Sequence, residues 1–329
     1  MSDRESRTPA IRSPQEDERG QTPLRATQAQ APRASARRRW AELIGFPLVA
    51  VSAALWLHLG TAKVYDFDGL WHLAQARAYV SRGLWYGEFP WLVASAAGQT
   101  GGDDWYGFHL LLIPFTLIPD PEWQVRIAGI CLTASALLIL WWALRLMQVQ
   151  AAWLWPFLIA LGSTAAAPRY AMVRPQTLSN VLPLLALPLL LRGAPWKAAL
   201  LGFCFTWIHF NVFWMLLVVA AALMLVRWLT TRRLEWRRPL AMLGGMVAGW
   251  LLRPDPLGAA WLAYLQTFGA KLAKARGGSI EASGEMLPMG FQDVRSYLLV
   301  LVLVWSVGVL LWMVGRTWRR EQPPEPQRT

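Results

Sequence analysis

The chain alternates long apolar runs with short polar connections. The runs cover roughly residues 43–60, 107–118, 124–144, 152–167, 176–192, 197–210, 211–229, 239–252 and 296–315. Their apolar positions are continuous rather than alternating, which argues against the strands of a membrane barrel. Several approach or exceed the roughly 20 residues that a helix needs to cross a bilayer. The pattern predicts an all-α polytopic membrane protein.

One run differs from the rest. Residues 107–118 are too few to cross, and Pro114 interrupts them. Basic clusters explain why this matters. Arg37, Arg38 and Arg39 precede the first run, and Arg232, Arg233, Arg237 and Arg238 share one short loop. Both clusters should face the cytoplasm, so an even number of crossings must separate them. Seven runs lie between, so 107–118 is expected to enter and return as a half-helix, covered by its neighbours. The result is about eight crossings with a cytoplasmic N-terminus. External loops then fall at about 61–106 and 253–295. The acids, which did not set the topology, follow it. Between residues 40 and 315 only Glu42 and Glu235 fall on the cytoplasmic side.

Residues 1–39 are rich in Arg, Gln, Pro, Ser and Thr and lack apolar periodicity, which predicts a disordered cytoplasmic tail. Residues 321–329 form a second tail, leaving 40–320 as the membrane domain. The basic leader of the first run predicts an uncleaved signal anchor. Residues 69–82 read as an amphipathic helix lying along the outer surface. Leu70, Trp71, Leu73, Ala74, Ala78 and Tyr79 are its apolar side, and Gln75, Arg77 and Arg82 its polar one.

Composition narrows the class further. The chain is 55% hydrophobic and 16% charged, with a net charge of +12. The positive charge flanks the apolar runs, so it marks topology and contact with a lipid bilayer, and nucleic acid is not an expected partner. Cys131 and Cys204 lie inside apolar runs, which argues against a disulfide or a thiolate metal site. No motif points to an organic cofactor.

The candidate chemistry gathers at the external helix ends. Asp66, Asp68, His72, Asp103 and Asp104 belong to the first loop, and His109 lies just inside the half-helix. Asp68 and His72 are four residues apart and would share one helix face. Arg169, Arg174, His209 and Arg253 stand at the ends of later runs. His58 lies one turn inside the first run, as a packing or supporting residue. Two roles fit. Asp66, Asp68, Asp103, Asp104 and His109 supply oxygen and imidazole donors suited to Mg²⁺ or Mn²⁺. Alternatively a carboxylate acts as general base while Arg169, Arg174 or Arg253 binds an anionic leaving group. Asp103 and Asp104 also suit a helix cap.

Several of these residues form short motifs. Asp68-Gly69-Leu70-Trp71-His72-Leu73 follows the first run, Arg174-Pro175-Gln176 precedes Leu178-Ser179, and Trp207-Ile208-His209-Phe210-Asn211 closes a later run. Arg253-Pro254-Asp255-Pro256-Leu257-Gly258 follows another run, and Glu281 lies in the second loop. Together they resemble the GT-C superfamily, in a bacterial group whose first external loop carries Asp-x-x-Trp-His-Leu. The resemblance implies a glycosyltransferase of the cytoplasmic (inner) membrane. Its donor would be a polyprenyl-phosphate-linked sugar and its acceptor, of unknown identity, would lie outside. Asp68 or Asp66 would be the base or metal carboxylate, His72 would share that site, and Arg174 and His209 would surround the carrier phosphate. The alternative is a non-catalytic subunit or lipid-carrier binding protein of an envelope assembly, working with a partner subunit.

Overall fold

The computed structural model describes residues 36–60, 67–90, 96–161, 169–276 and Ser306. Residues 1–40 and 41–329 form separate compact units. Of the first, residues 36–40 are described, as the start of a helix. Most of both expected tails, Asp66, Glu281 and the run at 296–315 apart from Ser306 lie outside the described residues.

Every regular element among the described residues is helical. The longer ones are α1 (Ala36–Leu59), α2 (Phe67–Arg82) and, after a short α3 (Ala96–Thr100), α4 (Tyr106–Leu112), which continues as a 3-10 turn over Ile113–Leu117. Next come α5 (Pro121–Leu146), α6 (Trp155–Leu161), α7 (Gln176–Ser179), α8 (Leu182–Arg192) and α9 (Pro195–Ile208). A 3-10 turn at Phe210–Val212 leads into α10 (Trp214–Thr231), followed by α11 (Arg237–Leu251), α12 (Pro256–Tyr264) and α13 (Ala270–Ala275).

Among the described residues, three segments are long and apolar enough to cross a membrane: Glu42–Leu59, Pro121–Leu146 and Phe210–Thr231. More than half of the α5 window is buried, at 56%, against 11% for Phe210–Thr231. So α5 is central, while α10 turns Val218, Leu225, Val226 and Leu229 outward. An apolar face of that length suits lipid, and in water it would be an aggregation hazard. Helices α8, α9 and α11 have 11, 14 and 15 residues, short of a full crossing by themselves. The run at 107–118 forms the short α4 and its 3-10 turn, with Pro114 in the turn.

Local chemistry sets the boundaries. Asp120 caps α5 by accepting the Glu122 and Trp123 N–H groups, and Pro121 takes the first helical position, where a missing N–H costs nothing. Asp255 and Pro256 repeat the device at α12. The core forms along α5, where Ala128, Leu132, Ala136 and Leu140 recur every fourth residue and pack in one cluster with α8 and α9. Helices α9 and α11 lie closest together. A Cβ at Gly245 would strike the Ala199 carbonyl, and one at Gly249 would meet Phe203 and Thr206. The Thr206 hydroxyl donates across this contact to the Met246 carbonyl at 3.0 Å. Small residues at such a crossing are what helix pairs in lipid require.

Candidate functional site

Helix α2 is a helix, as expected, but its faces differ from the amphipathic reading. Its buried side carries His72, Gln75 and Tyr79 together with Leu73 and Ala76, whereas Phe67, Leu70 and Val80 are exposed. Gln75, expected outside, is fully buried. Positions 72, 75, 76 and 79 recur at helical spacing, so one face of α2 presents polar groups inward against α4 and α5.

That face starts a buried chain of hydrogen bonds. The Tyr79 hydroxyl donates to Asp103 Oδ2 at 2.6 Å. Asp103 Oδ2 also lies 2.6 Å from His109 Nδ1, and His109 Nε2 lies 2.8 Å from His72 Nδ1. The Trp105 N–H donates to Asp103 Oδ1 at 2.9 Å in the turn before α4, whose N-cap position, Trp105, has no side-chain cap. Tyr79, Asp103 and His109 are each 1% exposed or less, and His72 is 4% exposed. Burial opposes charge on Asp103. The His109 imidazole, the two side-chain hydrogen bonds and the Trp105 N–H outweigh it and hold the carboxyl below its ordinary range. Burial, with Asp103 alongside, keeps the Tyr79 phenol protonated and therefore a donor.

One turn before His72, Asp68 is half exposed and pairs with Arg174, Oδ2 to NH2 at 2.8 Å. His209 ends α9, and its Nδ1 lies 2.7 Å from the Ser179 hydroxyl. Burial first, then His109, His209 and Arg174, keep the His72 pKa well below its ordinary 6.5. His72 is therefore neutral and within electrostatic reach of both Arg174 and His209. The structure thus brings Asp68, His72, Asp103, His109, Arg174 and His209 to one region. Ser179 and Tyr79 complete it as partners that the sequence did not single out. Tyr79 lies seven residues after His72, a spacing that would have revealed it. Ser179 carries no comparable signal.

Other candidates stand elsewhere. Arg253 is 1% exposed, and its guanidinium donates to the carbonyls of Asp103, Thr206, Gly249 and Trp250 at 2.6–3.1 Å. It also lies over the Phe210 ring. A carrier phosphate would have to break this set, so Arg253 ties the Asp103 loop to α9 and α11 instead. Asp104 is fully buried, and neither carboxylate oxygen has a hydrogen-bond partner among the described residues. Burial, with Asp103 adding to it and Arg253 opposing, holds its pKa well above 3.8. Arg169 is exposed beside Tyr170. His58 packs against Gly129 and lies 3.0 Å from the Thr133 hydroxyl, outside the buried chain.

Both His109 nitrogens face protein groups, Asp103 is shared by three donors, and Asp68 is paired with Arg174. Among the described residues no group of three His, Cys, Asp or Glu side chains is placed to hold a metal ion. Asp68, Asp103 and His109 are thus engaged by protein groups, whereas the Asp104 carboxylate is not.

One residue beyond His209, Phe210 borders an apolar cavity of about 450 Å³. Phe213, Trp214, Leu217, Met246 and Trp250 help to line it. Among the described residues, fold and site define an all-helical protein with three apolar helices of membrane-crossing length and a buried polar chain close to a surface ion pair. Comparison with protein-family models, curated proteins and solved structures finds no match.

Proposed function

We propose that this chain is a GT-C-like glycosyltransferase of a bacterial cytoplasmic membrane, with about eight crossings and its N-terminus in the cytoplasm. It moves a sugar from a polyprenyl-phosphate carrier to an acceptor hydroxyl on the external side. The observation that carries the reading is the Asp68–Arg174 pair set one turn from buried, neutral His72. Arg174 offers a guanidinium to the carrier phosphate, whose charge grows as the sugar leaves. An acid–base group of the 66–72 stretch, Asp66, Asp68 or His72, takes the acceptor proton. His209 stands beside the same phosphate. The apolar cavity next to His209 has the lining a prenyl chain requires.

The test is direct. Purified full-length protein is incubated with radiolabelled polyprenyl-phosphate mannose or glucose and bacterial envelope lipids. Sugar transfer with release of polyprenyl phosphate is expected, and Arg174→Ala should reduce it. Tight carrier binding without any transfer would replace this reading with the non-catalytic, carrier-binding one.

A further inference from the structure

The chain Tyr79–Asp103–His109–His72 fixes more than position. Asp103 is held as a carboxylate, which can only accept hydrogen bonds. Its contact with His109 at 2.6 Å therefore needs the proton on His109 Nδ1. In a neutral His109 the other nitrogen, Nε2, is then an acceptor. The 2.8 Å contact between the two imidazoles needs one proton, which must come from His72 Nδ1–H. Each ring thus dictates the tautomer of the next. His72 Nε2, across the ring from Nδ1, is left with a lone pair and has no hydrogen-bond partner among the described residues. A second nitrogen nearby, His209 Nε2, is buried without a partner. An imidazole lone pair one helical turn from the Asp68–Arg174 pair suits a ligand that brings a hydroxyl donor together with an anion.

We infer that His72 Nε2 is the proton acceptor of the transfer and that His109 and Asp103 are its positioning residues. This inference rests on the transferase reading above. The acceptor hydroxyl oxygen forms a bond to the anomeric carbon of the sugar. The bond from that carbon to the phosphate oxygen breaks, and its electron pair leaves with the polyprenyl phosphate, held by Arg174. The hydroxyl proton passes to His72 Nε2, giving an imidazolium whose Nδ1–H remains on His109. No electron is gained or lost overall. Asp68, the carboxylate that the phosphate displaces from Arg174, is not the proton acceptor in this scheme.

Two measurements test it. The first is transfer by the full-length protein. His72→Ala should lower kcat by about 10²- to 10⁴-fold, the usual range for a lost general base. Added imidazole should recover part of that rate, which a purely structural defect would not allow. Asp103→Asn should lower kcat and leave KM nearly unchanged, because the amide no longer dictates the His109 tautomer. Wild-type protein that transfers sugar, with His72→Ala within about threefold of it, overturns the inference and leaves the transferase reading intact. Wild-type protein without transfer overturns that reading instead. The second measurement is independent of activity: nitrogen NMR of isotope-labelled histidines in detergent. The Nδ1–H form is expected for both His72 and His109, with His109 changed in Asp103→Asn. A doubly protonated His109, or a proton on His72 Nε2, overturns the relay.

Discussion

Asp68→Asn should tighten the binding of a prenyl phosphate, although it removes a residue from the proposed site. In the structure Arg174 already has an anion against it, Asp68 Oδ2 at 2.8 Å. A phosphate must displace that carboxylate before it gains the guanidinium. Arg174 is 20% exposed and Asp68 53%, so solvent screens the pair. Exposed pairs of this kind contribute about 0.2–1 kcal/mol. Removing the competing charge should then strengthen binding by about 1.4- to 5-fold, since RT is about 0.59 kcal/mol. Fold stability should fall by no more than about 1 kcal/mol for the same reason. Titration calorimetry with a short-chain prenyl phosphate in detergent measures the first effect, and thermal unfolding the second. The gain should shrink at about 1 M salt, where the screening length is about 3 Å. Tenfold weaker binding in Asp68→Asn would refute the competition argument, because Asp68 would then have to contact the ligand favourably.

Arg253→Ala should cost at least about 3 kcal/mol in stability, and Arg253→Lys should recover little of it, because a guanidinium is needed to reach four carbonyls; chemical or thermal unfolding checks this. Asp104 has a raised folded pKa, so ionising it costs stability progressively as pH rises from about 3.8 towards that raised value. The stability gained on Asp104→Asn should therefore grow with pH across that window, as read from melting temperatures of both proteins. The depressed Asp103 acts in a separate range, below its ordinary value. Chelation with EDTA should leave transfer unchanged, since Asp68, Asp103 and His109 are paired with protein groups; loss of activity restored by Mg²⁺ or Mn²⁺ would contradict this. A reporter fused after Glu88 should read external and one after Trp236 cytoplasmic, and any other pattern removes the half-helix argument.

How much of this was legible in the sequence depends on whether a feature is local. Helix content followed from apolar run length, and the short α4 with its 3-10 turn followed from Pro114 in a brief run. Asp68 and His72 fell on one helix because their spacing is local. The inward polar face of α2 was missed because apolarity alone assigned the buried side. In a chain whose outer surfaces are apolar, Phe67 and Leu70 gain little from facing inward, whereas His72 and Tyr79 need hydrogen-bond partners. The partners lie far along the chain, 37 residues from His72 to His109 and 150 from Asp103 to Arg253. Nothing in a local pattern reports such pairings. Arg253 shows the consequence most clearly. An arginine after an apolar run resembles an anion-binding group until the carbonyls around it are known.

Asp103 and Asp104 are adjacent and almost equally buried, yet their chemistry is opposite. Asp103 gains enough donors to remain an anion in a nearly water-free place. Asp104 gains none among the described residues, and burial favours its neutral form. A buried carboxylate is a poor addition to stability unless its partners compensate for lost hydration. Asp103 therefore owes its charge to His109, Tyr79 and the turn into α4. Its carbonyl is also fixed, by Arg253 NH1 at 2.8 Å, to the helices that carry Thr206 and Gly249. One residue thus joins the scaffold through its main chain and aligns the imidazoles through its side chain. A loosened Arg253 contact would shift Asp103 and, through it, His109 and His72. The two kinds of damage are still separable. Asp103→Asn keeps the main-chain anchor and disturbs the side-chain hydrogen bonds and the tautomers, whereas Arg253→Ala keeps the carboxylate and disturbs its position. A large loss of kcat with a small loss of melting temperature belongs to the first variant, and large losses of both belong to the second.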